Sequence, residues 1–308
     1  HDTATTEIYP LSLHDALPIS PALRAVGLGG RCSLLLALRA LPADFVDYGR
    51  VIPLKQALLN RAAERFLEVA EPDLRADYEV FVDDHGDAWL DDYALFRILK
   101  GLHQERPWPE WAPRYARRDA DALREVRAEH AGAFERIRVL QYLFDRQWRV
   151  LRERAAERGI RLFGDIPIYI ALDSADAWSH PEMLLVDRDG IPSEVAGVPP
   201  DYFSEDGQLW GNPLYDWEMH AADNYEWWVD RLRAAADLAD MVRIDHFRGF
   251  EAYWEVPAGE TTAVKGKWVP GPGADFFRVL QEELGGRLPV IAEDLGVITP
   301  AVEKLRDD

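Results

Sequence analysis

The rhythm of apolar and polar positions changes near residue 133. Upstream, the apolar positions from Asp47 to about Val69 recur at helical spacing. Residues 74–104 read as helix in pieces, broken at the polar turn Asp83-Asp84-His85-Gly86-Asp87, and Arg106 to Pro113 reads as a Pro/Trp-rich connector. Downstream, Ile137, Leu140, Phe144, Trp148 and Leu151 stand three and four residues apart, which predicts a long helix over about Phe134 to Glu157, stopped by Gly159. A short apolar strand and its exit follow over Arg161 to Ile170. Asp223 and Glu226 stand at capping-box spacing and predict a helix from Asp223 to about Leu238, which delivers the strand Met241 to Asp245. A third helix, Ala274 to Leu284, stops at Gly285-Gly286 and feeds the strand Pro289 to Glu293.

Three helix-to-strand units in series argue for parallel strands with helices outside, in a closed barrel or an open doubly wound sheet. No Gly-x-Gly-x-x-Gly turn or Walker lysine motif marks a nucleotide site of the open kind. Asp165, Asp245 and Glu293 each fall at or just after the C-terminal end of a strand, where a barrel gathers its chemistry. The α/β fold class expected is therefore a (β/α)8 TIM barrel, incomplete in this chain and carrying an α-rich inserted region. The connections after Tyr169 and Asp245 run to over fifty and about thirty residues. Ordinary βα loops take about 2 to 6, so these read as elaborated active-site loops. The sequence divides into residues 1–20, an adapter-like stretch without sustained periodicity, and 21–308, a partial barrel with an α-rich insertion over about 47–130 and a catalytic core over about 131–308. Thr299-Pro300 reads as a fresh helix start near the other end.

The formal charge of −20, from 55 acidic and 35 basic residues, disfavours nucleic acid and anionic lipid as partners. The single cysteine, Cys32, excludes an internal disulfide framework and a Cys-rich zinc site. No run of about 18 apolar residues suggests a membrane span, and a cytoplasmic location is the default expectation.

Glycosyl transfer needs a nucleophile on one side of the sugar and a proton donor on the other. Asp245 and Glu293 suit a retaining pair if their strands are neighbours. The shorter Asp fits a firmly held nucleophile, and the longer Glu can reach the glycosidic oxygen. Arg243 shares a strand face with Asp245 and would keep it ionised, leaving Glu293 as the protonated member. His246 could bond a sugar hydroxyl. Singly, each acid also fits a helix cap, and Arg243 with Asp245 also fits a structural ion pair. No second cluster supports a metal at Asp245-His246. The segment 197–217 sets Tyr202, Phe203, Trp210, Tyr215 and Trp217 among Gly and Pro without regular periodicity. Such rings either stack on sugars or form the loop's own core. Tyr202 and Phe203 are expected to face a ligand, with Tyr215 and Trp217 buried. Asp165, Asp201, Gln208 and Asn212 are candidate hydroxyl readers, beside Trp210 as a platform.

Four blocks, Gly164 to Tyr169, Gly197 to Tyr215, Arg243 to Phe250 and Ile291 to Gly296, resemble the 4-α-glucanotransferase (amylomaltase) family, glycoside hydrolase family 77, as does Val46 to Lys55. The resemblance runs from about residue 40 to the end. It implies transfer of α-1,4-glucan segments between maltooligosaccharide chains through a covalent glucosyl-enzyme, with no organic cofactor. It puts the nucleophile on Asp245, the acid/base on Glu293 and a donor-covering loop on Pro199 to Ser204. It also implies an opening barrel portion before Gly30 and a third catalytic aspartate beyond Asp308, so the chain alone is expected to be inactive. The alternatives are an α-amylase-like hydrolase and a non-catalytic glucan-binding barrel.

Overall fold

The computed structural model describes residues 41–307 except 43, 203, 287 and 297. Cys32, the adapter-like stretch and Phe203 lie outside the described residues. The helices are α1 (Tyr48–Val69), α2 (Pro72–His85), α3 (Asp91–Leu102), α4 (Pro113–Ala116), α5 (Ala120–Glu129) and α6 (Ala131–Ala156). They continue with α7 (Ala175–Ser179), α8 (Trp217–Ala222), α9 (Glu226–Leu238), α10 (Gly273–Glu283) and α11 (Pro300–Asp307). The strands are β1 (Phe163–Ile166), β2 (Glu194–Val198), β3 (Gln208–Pro213), β4 (Met241–Ile244), β5 (Ala252–Pro257), β6 (Lys267–Pro270) and β7 (Val290–Ala292). Among the described residues no helix is long and apolar enough to cross a membrane.

Two compact units emerge, one of described residues 41–105 and 119–151, the other of 106–118 and 152–307. The first is helical. Leu58, Ala62 and Phe66 of α1 pack with Tyr78 and Phe81 of α2 and with Val139, Tyr142 and Leu143 of α6. Phe66, Tyr78 and Tyr142 form a ring triad with centroids 5.4 to 5.7 Å apart. The buried hydroxyls keep partners: Tyr78 donates to Glu135 and Tyr142 to Asp77, both at 2.8 Å. The polar turn expected at Asp83–Asp87 is absent. A π-helical turn over Gly86–Leu90 carries α2 into α3. Gly86 and Leu90 are both buried there, so packing overrides the local polarity.

In the second unit β1, β4 and β7 form a parallel sheet in the order β1-β4-β7. Alternation sends Gly164, Ile166, Val242 and Ile244 to one face and Phe163, Asp165 and Arg243 to the other. Ile166, Val242 and Ile244 are buried with Trp228 and Leu232 of α9 and Phe276 and Leu280 of α10. The capping box at Asp223 is not formed. Tyr225, left-handed at φ 56°, precedes α9, and Asp216 caps the short α8 instead. Tyr225 is buried with its ring 5.2 Å from Phe276; burying a ring outweighs one capping bond.

The segment 197–217 is not an irregular loop either. β2 and β3 pair antiparallel, with a register shift between Val195 and Gly197, inside a four-stranded sheet ordered β3-β2-β5-β6. The Pro/Trp connector is likewise more than a connector. Trp108 donates its main-chain N–H to Asp173, Trp178 donates its indole N–H to Tyr115 O at 2.9 Å, and Arg117 pairs with Asp189. Gly190, at φ +79°, must lack a side chain because a Cβ would lie 2.1 Å from the Trp108 ring.

Arg231 anchors the β1 exit. Its buried guanidinium donates to Pro167 O at 2.6 Å, Ile168 O at 3.1 Å and Tyr215 Oη at 3.0 Å, with its central carbon 4.5 Å from the Trp228 ring. Arg231→Leu should destabilise the protein by about 3 kcal/mol, because one buried and one half-buried carbonyl lose a charged donor. Urea denaturation at neutral pH measures it; a loss under about 1 kcal/mol would reduce Arg231 to a space filler.

Candidate active site

The two ladders that join β4 to its neighbours run on into the acids. Asp245 N–H donates to Ile166 O at 2.9 Å, and Glu293 N–H donates to Ile244 O at 3.1 Å. β4 and β7 are adjacent, so the neighbour condition on the Asp245–Glu293 pair is met. The register also sets Asp165 opposite Arg243. Asp165, Arg243, Asp245 and Glu293 are thereby gathered at one end of the parallel sheet.

Arg243 is the hub. Its Nη2 donates to Asp245 Oδ1 and lies 3.3 Å from Glu293 Oε1, while its Nε lies 3.7 Å from Asp165 Oδ1. Glu293 is the sheltered acid, its side chain 14% exposed against 41% for Asp245. Its carboxyl is pushed above the usual range, first by burial and also by Asp245; the His246 main-chain N–H and Arg243 act in the opposite direction. Burial, which the strand pattern did not signal, outweighs the neighbouring Asp245 carboxylate. Asp165 is also raised, by partial desolvation first although its side chain stays exposed, with Arg243 opposing and Asp245 adding to it.

The remaining candidates spread along the hairpin. Trp210 sets its indole against His246, ring centroids 4.8 Å apart at 81°, and against Tyr169 at 6.2 Å. Gln208 Oε1 accepts from the Trp210 indole N–H at 3.1 Å. Asn212 donates to Ile170 O at 2.9 Å and ties the hairpin to the β1 exit. Asp201 Oδ1 accepts from the Ser204 N–H at 2.8 Å and shapes the turn. Tyr202 is 99% exposed, while Tyr215 is buried and Trp217 half-buried. The hairpin rings thus divide between presentation and core.

One contact had no signal in the sequence: the main-chain N–H of His246 donates to Glu293 Oε2 at 2.6 Å. A backbone group carries no residue-type signature.

The sequence model of glycoside hydrolase family 77, described as 4-alpha-glucanotransferase, matches residues 4–308. The chain belongs to this family. It is 48% identical over 266 residues to the 4-alpha-glucanotransferase of Thermus thermophilus, covering 86% of this chain and 53% of that protein. It is 46% identical to the 4-alpha-glucanotransferase of Synechocystis, covering 85% of this chain and 52% of that protein. The chain spans about half the length of these curated relatives. Among solved structures, an amylomaltase from Streptococcus agalactiae in complex with acarbose superposes with a TM-score of 0.86 at 34% identity, over 95% of this chain and 58% of that one. The fold is accordingly of the α-amylase-like TIM-barrel kind, and the open doubly wound alternative falls away.

Proposed function

We propose that this chain carries the nucleophile and acid/base of a 4-α-glucanotransferase that moves α-1,4-glucan segments by a retaining double displacement. The observation behind this is the Arg243 guanidinium shared by Asp245 and Glu293 at the ends of adjacent parallel strands. Asp245 attacks the anomeric carbon, the bond to the leaving glycosidic oxygen breaks, and Glu293 gives that oxygen its proton. The 4-hydroxyl of an acceptor glucan then displaces Asp245 and returns a proton to Glu293. Arg243 holds both carboxylates in place and, through Asp165, ties them to β1. Side chains supply every group the two steps need, so no organic cofactor is called for.

Tyr202, Trp210 and His246 would line the donor side, with Asp165, Asp201, Gln208 and Asn212 as polar neighbours. The substrates would be maltooligosaccharides and longer α-1,4-glucans. The three parallel strands would be an arc of a (β/α)8 barrel, with the α-rich region inserted in it.

In a polypeptide carrying this chain at its relatives' full length, maltotriose should yield glucose together with longer maltooligosaccharides. Asp245→Ala should lower that rate by about 10⁴ or more and abolish the trapped glucosyl-enzyme, as removal of a nucleophile does. Mass spectrometry of the trapped protein locates the adduct. Label on any residue other than Asp245, or reducing-end release without elongation, would overturn the assignment.

A further inference from the structure

His246 follows the nucleophile and sits at φ 52°, ψ 44°, in the left-handed region. For a residue with a side chain this conformation costs about 1–2 kcal/mol, so surrounding contacts must hold it. Three do. The imidazole meets the Trp210 indole, centroids 4.8 Å apart. Gly249 donates its N–H to His246 O at 2.9 Å. The Gly249 Cα closes against both neighbours: a Cβ there would stand 3.1 Å from His246 Cδ2 and 2.7 Å from Ile168 Cδ1. Trp210 in turn sits on β3 beside Tyr169. A chain of contacts therefore runs from the aromatic hairpin, through the imidazole and its own backbone, to the N–H on Glu293 Oε2.

The ring itself brings no charge to the acid. Burial first, and Arg248 second, push its pKa down to about 4, so it is neutral at pH 7. At neutral pH His246 therefore meets Glu293 with no ring charge, and its hydrogen bond to that acid is made by the main-chain N–H.

We propose that His246 is a positioning residue for the acid/base: Trp210 and Gly249 hold its backbone left-handed so that its main-chain N–H orients Glu293, which couples the aromatic hairpin to proton transfer. The inference rests on the reading of Glu293 as the acid/base and adds a residue that acts on it. An N–H on a carboxylate favours the ionised form. Losing it leaves burial and Asp245 to act more freely, so Glu293 holds its proton to higher pH. The groups facing Glu293 are Asp245 and Arg243 from the end of β4, Asp165 of β1 through Arg243, and His246 itself; the variants below leave the three charged neighbours in place.

The experiment compares His246→Gly and His246→Asn, which tolerate the left-handed backbone, with His246→Val, whose β-branch resists it. Trp210→Ala removes the ring that holds the imidazole. In a polypeptide carrying this chain at its relatives' full length, carbon-13 NMR titration of labelled glutamate, with Glu293 assigned by Glu293→Gln, is read beside the alkaline limb of kcat on maltotriose. His246→Gly and His246→Asn should titrate like the parent, while His246→Val and Trp210→Ala should raise the Glu293 midpoint and the alkaline limb together by about one pH unit. If His246→Val does not fold, as judged by circular dichroism, Trp210→Ala decides. An unchanged Glu293 midpoint in the folded variants would overturn the proposal. An equal rise in His246→Gly would also overturn it, since the ring and not the backbone would then be responsible. A raised midpoint with an unmoved alkaline limb would uphold the positioning and sink the reading of Glu293 as the acid.

Discussion

In a polypeptide carrying this chain at its relatives' full length, and on the proposed assignment, Glu293→Gln is expected to slow transfer from maltotriose by about 10²- to 10⁴-fold, the range for loss of a general acid. With α-glucosyl fluoride as donor the first step should fall by less than about tenfold, because fluoride departs without needing a proton. The substitution keeps an oxygen for the His246 N–H, now 2.6 Å from Glu293 Oε2, so the turn beside Asp245 stays supported. Rapid-quench measurement of the first turnover separates the two donors. Equal losses on both would mean that Glu293 holds structure or substrate and transfers no proton.

Acidification should cost this protein stability through a group outside the site. His220 is fully buried, its ring 5.3 Å from Tyr215 and 5.4 Å from Trp217, and burial lowers its pKa from 6.5 to about 4. The unfolded chain therefore takes up the proton first as pH falls. The stability due to neutral His220 is complete above about pH 6.5, drains away between there and about pH 4, and levels off below. Between pH 7 and 4.5 the loss should be about 2–3 kcal/mol. His246, also lowered to about 4, adds a comparable slope in the same window. His220→Gln cannot charge and should lose about half of this histidine-driven pH dependence in urea denaturation, whatever its stability at pH 7. If its stability falls with pH as steeply as the parent's, another group governs the acid response.

The two acids were legible because their signal is local. A period of two sets Arg243 and Asp245 on one face, and strand ends mark where chemistry collects in a parallel sheet. What Arg243 does there was less legible. The sequence paired it with Asp245, whereas the structure also brings it to Glu293 and Asp165. Those contacts depend on two neighbouring strands that lie far away in the chain.

The sequence by itself determined the phases of the main helices, the three short parallel strands, the placement of Asp165, Asp245 and Glu293 at their ends, and the family. Helical and strand periods are written in neighbouring residues, and so they survive without knowledge of partners. Only the tertiary structure decided the order β1-β4-β7, the antiparallel sheet that takes in segment 197–217, and the docking of residues 106–118 against 171–190. It also decided the π turn at Gly86–Leu90 and the displaced start of α9, where burial of Leu90 and Tyr225 overrode a polar turn and a capping box. The left-handed turn of His246 belongs with these. Its energy comes from Trp210 and Gly249, and nothing in the residues beside it says that its N–H will meet Glu293.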